Sequence, residues 1–307
     1  MVKYILGRVL QTLGVVFGGT LVIFALAFAL PTNPAAALAG ERAADPAFVA
    51  AIEARYHLNE PLWRQYLYYV QGLLHGDFGQ TVTGQPIAPM LAERLSVSAQ
   101  LAAVAVLIAC VLGIGAGMLA SLNRHRTIDH IVRAATLAGL SIPFFVIAFV
   151  LQLVVGVKLQ WLPVAGLEAG WKSLLMPGFV LAVASTAYIT RLTRSQLIEQ
   201  LDEDYVRLAT AKGLGRWRVV RHHALRNSLI PVVTFAGIEF GALFGGAVIT
   251  ELIFNIPGLG QALARAIYLG DKPAVVGIVT AIILVYALIN LVIDAIYLLL
   301  DPRIRHA

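Results

Sequence analysis

Long stretches without a single charge dominate this chain. Residues 9–30, 95–123, 134–157 and 173–190 contain no Asp, Glu, Lys or Arg. Residues 229–254 are interrupted only by Glu239 and Glu251, and residues 273–300 only by Asp294. A helix that crosses hydrocarbon needs about 20 mostly apolar residues. The six segments therefore predict an all-α polytopic membrane protein with spans at about 9–30, 97–122, 132–157, 173–195, 229–254 and 274–300. Composition excludes the main alternatives. Hydrophobic residues make up 59% and charged residues 13% of the chain, against roughly 45–50% and about 25% in soluble domains. A soluble enzyme could not cover its surface with so few charges, and a disordered chain would not be so apolar. Cys110 is the single cysteine and lies in an apolar stretch, so no intrachain disulfide forms and no redox compartment is implied.

Ala37-Leu38-Ala39 resembles a signal-peptide cleavage site, but the apolar run before it exceeds the roughly 7–15 residues of a signal core. The first segment is therefore read as a span. With the N-terminus inside, fifteen of the 23 basic residues fall on the inner side, eight of them between Arg191 and Arg226. Half of the outer ones lie in the long 31–95 connection, where the positive-inside rule counts little. Both termini are expected in the cytoplasm, and the net charge of +6 marks cytoplasmic loops rather than a nucleic-acid surface.

Two connections are too long to be turns. In the outer segment 31–95, Asp45-Pro46 and Glu60-Pro61 are helix starts. Phe48, Val49, Ile52 and Tyr56 follow the first at one-face spacing, and Leu62, Tyr66, Tyr69, Val70 and Leu73 follow the second. With Trp63 and Tyr68, this region reads as a helical cap or as a docking surface for an external partner. In the inner segment 202–227, Asp202-Glu203-Asp204 lie where a helix N-terminus favours negative charge. Tyr205 to Lys212 then read as a short helix stopped by Gly213. Tyr205, Leu208, Ala209 and Lys212 are placed on one face, and Ala209, Ala211 and Gly213 would let a partner approach closely. An amphipathic helix on the inner leaflet is the alternative, but bulky apolar anchors are missing after Leu208.

Signatures of chemistry are missing. No phosphate-binding loop G-x-x-x-x-G-K-[ST] occurs, no His/Cys/carboxylate set has metal-ligand spacing, and adjacent His222 and His223 do not share a helix face. No catalytic residues, metal ligands or resident cofactor are expected. Glu239, Glu251 and Asp294 are costly inside a membrane. They read equally as a proton or cation relay and as local pairs with helix ends or arginines, with Glu251 near enough to the outer end of its span to reach water.

The chain resembles the permease subunits of type I ATP-binding-cassette importers, in the dipeptide/oligopeptide/nickel branch, over almost its whole length. The most specific stretch is Asp204-Tyr205-Val206-Arg207-Leu208-Ala209-Thr210-Ala211-Lys212-Gly213-Leu214, followed by residues 223–231. It is similar to the cytoplasmic EAA loop, E-A-A-x3-G-x9-I-x-L-P. Arg207 stands at the Glu position, Leu208 and Ala209 at the alanines, and Gly213 at the glycine. His223, Leu225 and Arg226 stand for the final Ile, Leu and Pro, departures that the peptide branch shares. Gly76-Asp77-Phe78-Gly79, Ser141-Ile142-Pro143, Gly245-Gly246-Ala247-Val248, Pro257-Gly258-Leu259-Gly260 and Asp301-Pro302-Arg303-Ile304-Arg305 agree with the branch. Leu30-Pro31-Thr32-Asn33-Pro34 departs from its usual Pro-Gly-Asp-Pro turn.

The resemblance implies a peptide importer in a prokaryotic inner membrane. It would be assembled with a second homologous permease, two cytoplasmic ATPases that bind ATP and Mg, and an extracytoplasmic solute-binding protein. Asp204, Tyr205, Leu208, Ala209, Lys212, Gly213 and Leu214 would couple to the ATPases. Gln100, Ser141, Ser185, Thr186, Tyr188 and Glu239 are candidates for the pathway, and Glu251, Pro257 and Gly258 for an outer gate. Nickel chelates are an alternative substrate, and an ion-coupled secondary transporter using Glu239 and Asp294 is a more distant one. Glycines at 139, 237, 241, 245 and 246 suit close helix contacts.

Overall fold

Helix accounts for nearly all of the architecture. A computed structural model describes residues 2–28, 45–55 and 59–300; the expected turn at 30–34, the Ala37-Leu38-Ala39 site, Tyr56 and the closing 301–305 stretch lie outside them. Among the described residues the only β-pairing is an isolated bridge between Gln80 and Pro86. Among the described residues, five helices are long and apolar enough to cross a membrane, and a sixth crossing exists if a bent helix pair counts as one span. The chain divides into two units.

The first unit comprises residues 1–98, 244–248 and 257–307. Helix α1 (Val2–Phe28) packs along the last helix (Lys272–Leu300). The outer connection supplies α2 (Pro46–Arg55) and α3 (Leu62–Leu74). Asp45 caps α2 as expected, its Oδ1 accepting the Ala47 amide at 3.0 Å. Helix α3 has two sides. Tyr66 is buried with Phe24, Phe28 and Val276, and shares a 2.9 Å hydrogen bond with Thr20. The ring of Tyr69 stacks on Phe24, and its hydroxyl donates to Thr280 at 2.6 Å; burial pushes this phenol up to about 12. Leu62, Trp63, Leu67 and Tyr68 are exposed.

The segment after α3 is tied to the start of the last helix. Asp271 Oδ1 accepts the Ala274 amide and its Oδ2 accepts the Val82 amide. Only a glycine fits at 277, because a Cβ there would sit 2.7 Å from the Phe78 carbonyl oxygen.

The second unit comprises residues 99–243 and 249–256. Helix α4 (Ile87–Leu122) begins in the first unit and continues into this one. Its first turns lie within the expected 31–95 insertion, which the helix therefore shortens. Helix α4 lies against α7 (Leu175–Leu201), which a 3₁₀ turn at Gly170–Leu174 introduces. The approach is close: a Cβ at Gly117 would come 2.6 Å from both the Thr190 carbonyl oxygen and Thr193 Cβ. Small residues permit such contact between apolar helices. Gly113 and Gly178 have this role as well, facing Ile189 and Val104. A Cβ at Gly139 would meet Val183 at 3.3 Å; in the first unit, one at Gly245 would meet nothing within 4 Å in this chain.

The single span expected at 132–157 is broken. Helix α5 (Thr127–Ser141) and helix α6 (Phe144–Leu151), which continues as a π-helical stretch Gln152–Lys158, meet at 96°. Pro143 has no amide hydrogen and drives Ile142 out of helical conformation, to φ −89°, ψ 125°.

The expected 202–227 loop and the 229–254 span also change. Helix α8 (Asp204–Ala211) is short, and helix α9 (Arg216–Val219) runs through a π-helical stretch Val220–Ala224 into α10 (Leu225–Gly246). This span therefore starts ahead of the expected position and ends at Gly246. Glu251 lies beyond it on a separate short helix, α11 (Val248–Ile253), and is fully buried rather than reaching water. Gln152 Nε2 donates to the carbonyls of Ile253 and Val164, and the Gly166 amide donates to Phe254, which folds the segment inward. In the first unit, helix α12 (Leu259–Tyr268) precedes the last helix, α13 (Lys272–Leu300).

Candidate functional site

The short helix α8 stands on its own small core. Val206 and Ala209 are buried with Leu197, Val219 and Ala224, while Met118, Leu201, Leu214 and Leu225 pack around them. The helix ends in a Schellman turn. The Leu214 amide donates to Ala209 and the Gly213 amide to Thr210, with Gly213 at φ +82°. Leu214, one of the predicted contact residues, thus seals the core beneath.

Tyr205 is the tie on the other side. Its hydroxyl donates to Gln200 Oε1 at 2.5 Å and accepts from Asn227 Nδ2 at 3.2 Å, so one phenol links the end of α7, α8 and the start of α10. Asp204 is exposed and meets Arg207 in a 3.5 Å ion pair that is itself largely solvated. Leu208 is 58% exposed, and Tyr205, Lys212 and Gly213 are exposed as well. The face expected to hold Tyr205, Leu208, Ala209 and Lys212 therefore divides. Ala209 is 7% exposed and turns inward with Val206, because a helix this short can only be anchored by burying one side. The site that remains outside is a ridge of Tyr205, Leu208 and Lys212 on a braced foot.

Two pathway candidates meet directly. Ser185 Oγ donates to Glu239 Oε1 at 2.6 Å, with Ser185 buried and Glu239 half-buried. One helical turn away on the same two helices, the rings of Tyr188 and Phe235 approach to 5.9 Å, and the Arg191 guanidinium lies 4.9 Å over Tyr188. Thr186 is half-buried and its carbonyl accepts the Thr190 hydroxyl. Gln100 and Ser141 are exposed, and among the described residues no hydrogen bond joins either to this pair; Ser141 donates to Leu137.

The gate candidates lie apart in the chain's organisation. Glu251 belongs to the second unit, while Pro257 and Gly258 belong to the first. Pro257 is exposed; Gly258 is buried as the N-cap of α12, its carbonyl accepting from Arg94 at 3.5 Å. Ser98 Oγ accepts the adjoining Leu259 amide at 2.8 Å. Asp294 pairs with Arg8 at 3.4 Å, which favours local pairing over a relay.

Sequence reasoning missed the strongest polar contact. Asp129, fully buried, receives both Nε and Nη2 of Arg194 at 2.7 Å, and the His125 amide at 3.1 Å. A carboxylate at the first turn of a span was the available signal. Its partner, 65 residues away in the chain, had none. Among the described residues no cluster of three metal-ligating side chains occurs.

Comparison with known proteins agrees with this architecture. Residues 113–306 match the family described as "Binding-protein-dependent transport system inner membrane component", and residues 1–109 match its N-terminal counterpart. The chain belongs to this family and is a multi-pass inner-membrane permease of the ABC importer type. It is 36% identical to the probable peptide ABC transporter permease protein y4tP of Sinorhizobium fredii, covering 99% of each chain. It is 34% identical to the glutathione transport system permease protein GsiC of Escherichia coli and to the dipeptide transport system permease protein DppB of Alkalihalophilus pseudofirmus, covering all of each. Among solved structures, a chain of the inward-facing MetNI methionine ABC transporter aligns with a TM-score of 0.58 at 20% identity, covering 67% of this chain and 94% of that one. This last likeness speaks to the fold alone.

Proposed function

We propose that this chain carries short peptides across the inner membrane, as one of two permeases in an importer powered by separate ATPases and fed by an external binding protein. The observation that carries the coupling role is the exposed Tyr205–Leu208–Lys212 ridge on a rigidly braced helix, in the stretch 191–226 that holds eight of the 23 basic residues. End-to-end similarity to three permeases named for peptide, dipeptide and glutathione transport supports the substrate class.

In this reading both termini and α8 are cytoplasmic, and Asp204, Tyr205, Leu208, Lys212 and Gly213 meet the ATPases, with Ala209 and Leu214 holding the ridge from behind. Closure of the ATPases on ATP and Mg then biases two packings of the spans. The Ser185–Glu239 pair, Tyr188 and Thr186 line the path, with Gln100 and Ser141 further contributors. Glu251, Pro257 and Gly258 form the outer gate, and the exposed aromatic side of α3 meets the binding protein. The chain performs no bond chemistry and holds no cofactor or metal.

The test is uptake of labelled di- and tripeptides into proteoliposomes holding the chain with its partner permease, ATPases and binding protein. ATP-dependent accumulation that competes with unlabelled peptide is expected. Uptake of a nickel chelate in place of peptide, or transport by the permeases without ATPases, would overturn the reading.

A further inference from the structure

The bent third span and α7 enclose two adjoining spaces that share only Thr186 with the path proposed above. Where α5 begins, a cleft of ≈ 780 Å³ is lined by four basic side chains, His130, Arg133, Arg191 and Arg194, with Leu137 and Leu140 at its edge. Asp129 neutralises Arg194. Among the described residues, neither Arg133 nor Arg191 has a carboxylate within ion-pair distance, so the cleft keeps an excess of positive charge.

A second hollow, ≈ 660 Å³, lies in the elbow between α5 and α6. Ile142, Val146, Val150, Phe179 and Val183 make up much of its wall, and Thr136 borders both spaces. Two of the three hydroxyls in this wall are already used; the third, of Thr186, is open. Thr136 Oγ1 donates to the Arg133 carbonyl at 2.9 Å and Thr190 Oγ1 to the Thr186 carbonyl at 2.7 Å. Apart from the Thr186 hydroxyl, the hollow offers a ligand little but hydrocarbon.

From this juxtaposition we infer that the α5–α6 elbow is a binding site for an anionic phospholipid of the inner leaflet. The phosphate sits between Arg133 and Arg191, and an acyl chain fills the elbow. The two halves of the site match the two halves of such a lipid in charge and polarity. The cleft also lies at the end of the span that the charge distribution places at the cytoplasmic surface, where anionic headgroups gather. A peptide fits less well. Its ammonium group would find no carboxylate free beside the cleft, Asp129 being committed to Arg194, and its amides would face a wall whose one open polar group is the Thr186 hydroxyl. The inference does not depend on which solute the importer carries.

Native mass spectrometry of the full chain, extracted from bilayers of mixed phosphatidylcholine and phosphatidylglycerol, tests the site. Preferential retention of phosphatidylglycerol is expected. Arg133→Gln should reduce that preference about fivefold, the usual weight of one basic side chain near an anionic surface, and Arg133→Lys should keep most of it. Val146→Trp, which fills the elbow and leaves the basic cleft intact, should also release the lipid. An unchanged melting temperature in Arg133→Gln separates lipid loss from misfolding. Added inorganic phosphate should leave the lipid in place, because the elbow supplies the rest of the affinity. Equal retention of the two lipids, an unchanged preference in Arg133→Gln, or displacement by phosphate or by a dipeptide would each overturn the proposal.

Discussion

Asp129 and Arg194 face each other edge to edge, two hydrogen bonds of 2.7 Å joining a carboxylate with no solvent exposure to a guanidinium that is mostly covered. A bidentate pair of this kind fixes direction as well as distance. It locks the first turn of α5 to α7 at the level of the His125 turn.

Removing Asp129 leaves the partly covered Arg194 guanidinium without its partner and the His125 amide without its acceptor; because Arg194 also faces the cleft, the cost stays below the roughly 3–5 kcal/mol of a fully buried pair. Asp129→Ala should still lower the melting temperature of the purified chain. Asp204→Ala, which breaks a pair exposed on both sides, should shift it little, since exposed pairs contribute about 0–1 kcal/mol. Thermal melts followed by size-exclusion chromatography compare the two, and equal shifts would count against the structural role assigned to Asp129.

The two sides of α8 should respond differently. Leu208→Glu changes the exposed ridge only, so insertion and melting should be normal while peptide-stimulated ATPase activity is lost. Ala209→Asp places a carboxylate in the core of Leu197, Val206 and Val219 and should impair folding itself. The readout is membrane yield against ATPase stimulation. An Ala209→Asp chain that folds normally would refute the inward placement of that residue.

Much of this architecture could be read from the sequence, and the exceptions have physical causes. The cap at Asp45 and the stop at Gly213 depend on neighbours within a few residues, so local chemistry decides them. Pro143 was equally local: its missing amide and its effect on Ile142 mark the break, but a continuous apolar run hides it when only hydropathy is followed. The burial of Glu251, the pairing of Asp129 with Arg194 and the contact of Ser185 with Glu239 join distant parts of the chain. No periodicity encodes such pairs. Helical spacing placed Tyr205, Leu208, Ala209 and Lys212 together, yet a two-turn helix needs an anchor, and only the packed core beneath it reveals that Ala209 is part of that anchor.

Ser185 and Glu239 should depend on one another. Glu239→Gln keeps an acceptor for the Ser185 hydroxyl and should retain folding while changing peptide uptake; Ser185→Ala leaves the carboxylate without its donor. If the pair acts as a unit, the double variant should be less impaired in uptake than the two single effects sum to. Additive losses in the transport assay would mean independent roles.

At Gly277 the prediction is steric. An alanine Cβ would have to displace the Phe78 carbonyl, now 2.7 Å from that position, or move Ile87. Gly277→Ala should destabilise the first unit by roughly 1–3 kcal/mol, the usual cost of overpacking. Hydrogen exchange should quicken in residues 77–87 while the amides of α8 stay as protected as before.

Helices α9 and α10 together have a mechanical consequence. From Trp217, two residues before Val219 of the α8 core, to Glu239 the chain stays helical, a span of roughly 33 Å at 1.5 Å rise per residue. An arm of that length gives leverage: pivoting it by about 5° around its Trp217 end carries the far end through ~3 Å, about the length of the hydrogen bond from Ser185. Rocking too slight to disturb the packing under α8 is thus enough to make or break that bond.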